Sequence, residues 1–316
     1  MPTPDVAATI AARARALDSS LRPAIHETPV VRWEEAGAAD VWLKLENRQV
    51  TGSFKARGAY ARLGAAKAAG AHEVVASSTG NHGTAVAHAA AALEMGALVY
   101  VPRSAQPAKV AAITALGAEL VLVDGDPVRA ETAARAHAAR GGIPYVSPYN
   151  DPEVVAGQAT VGLELARQLA PVDEVYVAVG GGGLISGLGI VLREAWPDCT
   201  IVGAYPQNSP SMARSVAAGR IVEVPALPTL SDGTAGGVEP GSITLDLCAR
   251  FVDRWVEVPE RDIAPTIRRL HGDRSLLVEG AAAVAAFAAL GRARTSALVI
   301  VCGGNLDPDV AAGILG

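Results

Sequence analysis

The sequence predicts an α/β protein made of two doubly wound parallel-sheet lobes. Short β-branched runs alternate with Ala-rich helical segments, the runs are apolar on both faces, and glycine-rich turns follow several of them. Strands that read as continuous apolar runs are covered on both faces, which is the habit of parallel sheets between helices. Composition agrees: half of the 316 residues are apolar, only 4% are aromatic and 33 are glycine. Small side chains let helices approach a sheet closely.

The opening segment, "MPTPDVAATIAARARALDSSL" (1–21), has Asp5 early and no continuous apolar core. It reads as an amphipathic helix and not as a signal peptide. Lys44 lies on a strand ahead of "NRQVTGSFKARGAYARL" (47–63), where Ser53 caps an Ala/Arg-rich helix that begins near Lys55. From residue 74 the strands are expected at 74–77, 97–102, 118–123 and 143–147, with helices near 81–94, 106–116 and 127–140. A second series follows at 174–179, 200–205 and 296–301. The boundary between the series falls near Pro144–Pro152. Ligands of such folds sit in the crevice at the carboxyl ends of the strands, and the glycine-rich motifs fall there.

A formal net charge of −5 gives no reason to expect a nucleic-acid partner or an anionic membrane. The most apolar run, 281–290, is about half of what crossing a bilayer needs. Cys199, Cys248 and Cys302 are odd in number and contain no CxxC pair. That spacing argues against a disulfide framework and a zinc site, and fits a reducing cytoplasm.

"EVYVAVGGGGLISGLGIVLREAW" (174–196) is a strand, four glycines and a helix. Unhindered N–H groups at a helix N-terminus make an anion cradle. No lysine follows in the GxxxxGK[ST] manner, and forcing GxGxxG onto 181–186 puts Ser186 where the third glycine belongs. The loop therefore indicates phosphate without indicating a nucleotide. Lys55 is one of four lysines, with Lys44, Lys67 and Lys109, and it sits where the helix dipole disfavours an ammonium. A neutral amine is what Schiff-base chemistry requires. Pyridoxal phosphate needs such a lysine, a phosphate cradle and a partner for its ring nitrogen.

"TGSFKARGA", "SSTGNHGTAVAHAA", "VGGGGLISGLG" and "VCGGN" occur in the order and spacing of the serine/threonine dehydratases. From about residue 20 to the C-terminus the chain resembles that family, pyridoxal-phosphate enzymes of fold type II with the active site in an interdomain cleft. The resemblance implies that Lys55 carries the cofactor as a Schiff base and acts as the catalytic base, with Phe54 beside the ring. It implies that Asn81 hydrogen-bonds the cofactor's 3′-oxygen, and that Ser78, Thr79, Gly80, Asn81 and His82 bind the substrate carboxylate. Gly180, Gly181, Gly182, Gly183 and Leu184 match the phosphate cradle, Cys302 the neighbour of the pyridine nitrogen, and Glu279 a carboxylate lining the site. A thiol beside that nitrogen leaves it largely neutral, which favours expelling a β-leaving group over stabilising a long-lived carbanion.

The resemblance further implies a large cofactor-binding domain of residues 1–48 and 146–316, a small mobile domain of 49–145, and a homodimer. With nothing after "GGNLDPDVAAGILG", no appended regulatory domain and no feedback control by isoleucine are expected. The expected activity is α,β-elimination on a threonine- or serine-like β-hydroxy-α-amino acid, giving a 2-oxo acid and ammonia. Thr79 leaves a racemase open, because its hydroxyl could serve the second face. A β-replacement synthase is a further rival, and a nucleotide sensor would explain the glycine loop but not the lysine motif. Tyr205 and Ser211 stand where metal-binding relatives place acidic ligands, so no metal is expected. His72, His88, His137 and His271 read as surface or structural, Asp124 and Asp126 as solvated turn residues, and Lys44 as a packing or domain-contact residue.

Overall fold

A computed structural model of the chain describes residues 5–37, 40–225, 227–293 and 295–316. In chain order the elements are α1 (Val6–Leu21), β1 (Val30–Arg32), β2 (Asp40–Lys44), α2 (Lys55–Ala68), β3 (Glu73–Ser77), α3 (Asn81–Ala92) and β4 (Gly96–Pro102). There follow α4 (Pro107–Ala115), β5 (Glu119–Val123), α5 (Pro127–Gly141), α6 (Pro152–Gln168), β6 (Glu174–Ala178), α7 (Gly183–Ala195) and β7 (Thr200–Pro206). The chain closes with α8 (Ser211–Ala218), α9 (Ile243–Phe251), β8 (Arg254–Val258), α10 (Glu260–Arg274), α11 (Gly280–Ala289), β9 (Ser296–Ile300) and α12 (Pro308–Leu315).

Two sheets result. The larger has the order β1-β2-β9-β6-β7-β8 and the smaller β3-β4-β5. Every pairing is parallel except β1 with β2, which is antiparallel at the edge. The strands expected near 74, 97, 118, 174, 200 and 296 all form. The segment 143–147 does not become a strand. Val75 N–H donates to Pro144 carbonyl and Val146 N–H to Val75 carbonyl, leaving a single bridge between Val75 and Tyr145. Pro144 and Pro148 lack the N–H groups that would extend the ladder. β1 and β8 are not evident from the sequence, being short and interrupted by Arg32, Arg254 and Glu257.

The core of the larger sheet is built on its apolar strands and on α11, whose Ala282, Ala283, Ala285 and Ala286 are wholly buried. A second core joins α1, α2 and α3 to the buried faces of α6 and α7. Between the two lies a buried charge network. Arg57 donates to both oxygens of Glu46 at 2.7 Å, and to Glu164 Oε1 and Oε2 at 2.6 and 2.9 Å. Lys44 Nζ donates to Thr28 carbonyl, Glu164 and Gln168. Arg57 is two residues beyond Lys55, so this network anchors the helix that presents that amine. No described helix is long and apolar enough to cross a membrane.

Candidate active site

Lys55 opens α2, and the backbone ahead of it is tied to the end of β9. Phe54 N–H donates to Cys302 carbonyl at 3.1 Å, Gly304 N–H to Gly52 carbonyl at 2.9 Å, and Ser53 bridges Gly303. The amine therefore emerges at the carboxyl end of a central strand. Lys55 Nζ donates to Pro148 carbonyl at 2.9 Å and stands 5.2 Å from the centre of the Phe54 ring. Crowding by protein drives its pKa down from 10.5 to about 8, against the pull of Glu279 and Cys302. Desolvation of the ammonium is the cause.

Glu279 occupies the N-cap position of α11 and is 4% exposed. Burial raises its carboxyl from 4.5 to about 7, opposed chiefly by the hydrogen bond from Asn81. Asn81 Nδ2 donates to Glu279 Oε2 at 2.8 Å, and Cys302 Sγ lies 3.8 Å from Glu279 Oε1. Cys302 is itself buried, and burial beside that carboxylate pushes its thiol well above 9.0. Cys302 thus keeps its proton, as a neutral neighbour of a ring nitrogen would.

The loop between β3 and α3 holds Ser78, Thr79 and Gly80, all half-buried, and Gly80 N–H donates to Ser78 Oγ at 3.1 Å. His82 is buried, and Nε2 donates to Val146 carbonyl at 2.9 Å. Burial, with the Lys55 charge nearby, lowers its pKa to about 3, so the ring stays neutral. It braces the loop and is no proton carrier at neutral pH.

After β6 the four glycines turn into α7. Gly182 adopts φ 84°, a left-handed conformation that only glycine takes without strain, and no side chain caps the helix. The first N–H groups of α7 therefore have no partner within the helix. A Cβ on Gly181 would enter the Tyr149 ring, and one on Gly180 would lie 2.9 Å from Thr234 Cα. Thr244 Oγ1 donates to Gly181 carbonyl at 2.7 Å and fixes the loop.

These residues meet what pyridoxal phosphate demands: a crowded amine of lowered pKa, the N–H groups that open a helix after a glycine turn, and a thiol beside a buried carboxylate. Tyr205 packs on Trp255 at 6.2 Å and Ser211 Oγ donates to Gly236 carbonyl at 2.7 Å. Among the described residues no three His, Cys, Asp or Glu side chains come together as a metal site.

Three further residues of the site have no role that the sequence alone assigns. Tyr149 covers the glycine loop, and its hydroxyl accepts from Glu239 N–H at 2.9 Å. Asn305 Nδ2 donates to Asn81 Oδ1 at 2.7 Å. Asp232 approaches Glu279 and pairs with Lys109 at 3.6 Å. The signal for Asn305 is present in "VCGGN". Tyr149 sits in "SPYN", which carries no motif of its own.

The fold and this constellation define a cofactor-dependent enzyme, and the chain belongs to the family of pyridoxal-phosphate dependent enzymes, matched over residues 21–303. It is 37% identical to the L-threonine ammonia-lyase of Thermotoga maritima, over 91% of this chain and 73% of that one. It is 33% identical to the phenylserine dehydratase of Ralstonia pickettii, over 99% and 97%. The structure of a threonine deaminase from T.th. superposes with a TM-score of 0.86 at 33% identity, covering 94% and 98%. Maize serine racemase superposes with a TM-score of 0.89 at 28% identity, covering 96% and 95%.

Proposed function

We propose that this protein is an ammonia-lyase that eliminates water from a β-hydroxy-α-amino acid to give an enamine, whose hydrolysis takes up one water and leaves a 2-oxo acid and ammonia. The observation that carries the reading is the crowded Lys55 amine, titrating near 8 and set between the glycine cradle and the Glu279–Cys302 pair. The relatives named above as threonine ammonia-lyase and phenylserine dehydratase support the reaction class.

When bound, pyridoxal phosphate supplies the electron sink that acidifies the α-proton of the substrate. Lys55 would hold it covalently, with Phe54 beside the ring and Asn81 donating to the ring oxygen. Gly180 to Leu184 would take the phosphate through their N–H groups, while Glu279 and Cys302 face the ring nitrogen. The substrate carboxylate fits the N–H groups of Ser78 to His82 at the start of α3, where the helix dipole favours an anion. Lys55 Nζ, partly neutral near pH 8, accepts the α-proton. Cys302 keeps its own proton and so withholds the full positive charge that a carboxylate partner would maintain on the ring. That biases the chemistry toward loss of the β-hydroxyl.

Lys55→Ala should reduce turnover below detection while the variant still binds the cofactor non-covalently. Elimination at more than about a thousandth of the wild-type rate would remove Lys55 as the base. A panel of serine, threonine, 3-hydroxyaspartate and phenylserine stereoisomers, assayed for oxo acid and for inverted amino acid, names the substrate. The same panel measures any racemase activity through Thr79, a reading favoured by the half-buried hydroxyl in the carboxylate loop.

We further propose a large domain of residues 1–48 and 146–316 and a small mobile domain of 49–145. Membership of the two sheets supports this division: one draws on strands up to Lys44 and from Glu174 onward, the other on Glu73–Val123. We place the enzyme in the cytoplasm as a homodimer, a state that light scattering checks directly. Its three cysteines are free and buried, as a reducing compartment would keep them.

A further inference from the structure

The Asn81 amide is held from both sides. Its Nδ2 donates to Glu279 Oε2 at 2.8 Å and its Oδ1 accepts from Asn305 Nδ2 at 2.7 Å. The same Asn305 nitrogen donates to Thr51 carbonyl at 2.9 Å, and its side chain lies against Gly52, where φ is 72°. Asn305 therefore joins the loop ahead of Lys55, the start of α3 and the segment after β9. We infer that Asn305 is a positioning residue, which fixes the Asn81 amide so that an N–H and not the carbonyl oxygen faces the cofactor's ring oxygen. The inference rests on the reading of Asn81 as the donor to that oxygen.

The two ends of a primary amide are nearly the same shape, so hydrogen-bond partners alone choose its orientation. Ionised Glu279 only accepts and would suffice to hold Nδ2. Protonated Glu279 can also donate, and then either end of Asn81 satisfies it. Burial brings that carboxyl to about 7, so both forms are present at neutral pH. The groups that face it are Asn81 on α3, Lys55 on α2, Asp232 in the turn between α8 and α9, and Cys302 after β9. None of these determines which end of Asn81 is turned toward Glu279 once the carboxyl is protonated. Asn305 does so without titrating, because Thr51 carbonyl can only accept and so holds the Asn305 nitrogen in place. The orientation of Asn81 is thereby independent of pH.

The test uses cofactor-loaded Asn305→Ala and Asn305→Asp proteins, with the visible absorbance and kcat followed from about pH 6 to about pH 9. In Asn305→Ala the absorbance gains a pH-dependent step near the Glu279 midpoint that the wild type lacks. Its kcat falls roughly ten-fold below that midpoint and only about two-fold above it, the loss expected for one hydrogen bond that matters in one protonation state. Asn305→Asp keeps the shape but turns the donor into an acceptor. It draws Asn81 Nδ2 away from Glu279 and gives the altered spectrum across the whole range. A kcat loss by one constant factor, with a wild-type spectrum in both variants, overturns the inference and leaves Asn305 as a brace. Failure of both variants to fold overturns it as well, since it gives this exposed bond no part in folding. The absorbance needs no substrate, so a wrong substrate assignment leaves that readout standing. A wild type without a visible band would instead sink the cofactor reading.

Discussion

Lys55 and Glu279 titrate in opposite senses, and each leaves a signature in the cofactor-free protein. Lys55 has a folded pKa of about 8 against an ordinary 10.5. The unfolded chain binds more protons between those values, so this group's contribution to stability rises with pH across the window. Lys55→Met should remove that rise and raise the Tm below about pH 8, as a series of thermal melts will show. Glu279 is raised from 4.5 to about 7, so the folded state holds more protons in that interval and stability falls as pH climbs through it. Glu279→Gln should flatten the fall. Asn81 and Cys302 are the immediate neighbours of this carboxyl, and both are legible from their motifs. The perturbation itself is not, because it comes first from burial under segments far away in sequence, with Asp232 adding to the rise and Asn81 opposing it.

At the scale of elements, two devices hold the chemistry in place. The first is the charge network around Arg57, which ties α2 to α6 and to the segment after β2. Removing one member leaves another buried charge uncompensated, so Arg57→Met should lose about 3–5 kcal/mol in urea denaturation. Lys44 is a member of this network, in line with its reading as a packing residue. The second is the turn from β6 into α7. Gly181→Ala must displace the Tyr149 ring or the loop, and cofactor affinity should drop by at least about ten-fold in a fluorescence titration. The "GGGG" motif is plain in the sequence; the ring that closes over it is not. Tyr149 follows the segment 143–147, which is held to β3 by the single Val75–Tyr145 bridge and, with prolines at 144 and 148, pairs no further.

Across the whole molecule, polar contacts join the helices of the β3-β4-β5 unit to segments that belong with the larger sheet. Lys109 on α4 pairs with Asp232, Arg135 on α5 with Glu239, and Asn81 on α3 with Glu279. Arg135 also lies 4.2 Å over the Tyr145 ring. Under the proposed mobile small domain, these contacts would favour closure around a ligand. Arg135→Ala should cost about 1 kcal/mol of stability and raise KM more than it lowers kcat. A fall in kcat alone would dissociate the pair from closure.

Local pattern is enough to reveal the alternating α/β architecture, the lysine, the glycine loop and the order of the motifs. Each is a property of neighbours in the chain: apolar runs, glycine repeats and a lysine at the head of an Ala-rich run. The expected Ser53 cap does not form, since Phe54 takes the N-cap position of α2 and no side chain caps it. Which strands join which sheet, why the Lys55 amine titrates near 8, and how Asn305, Asn81 and Glu279 meet depend on segments far apart in the chain, Asn305 being 224 residues from Asn81 and 254 from Thr51. Burial and partner choice arise only when those segments pack, and it is burial that shifts Lys55, His82, Glu279 and Cys302 from their ordinary titration.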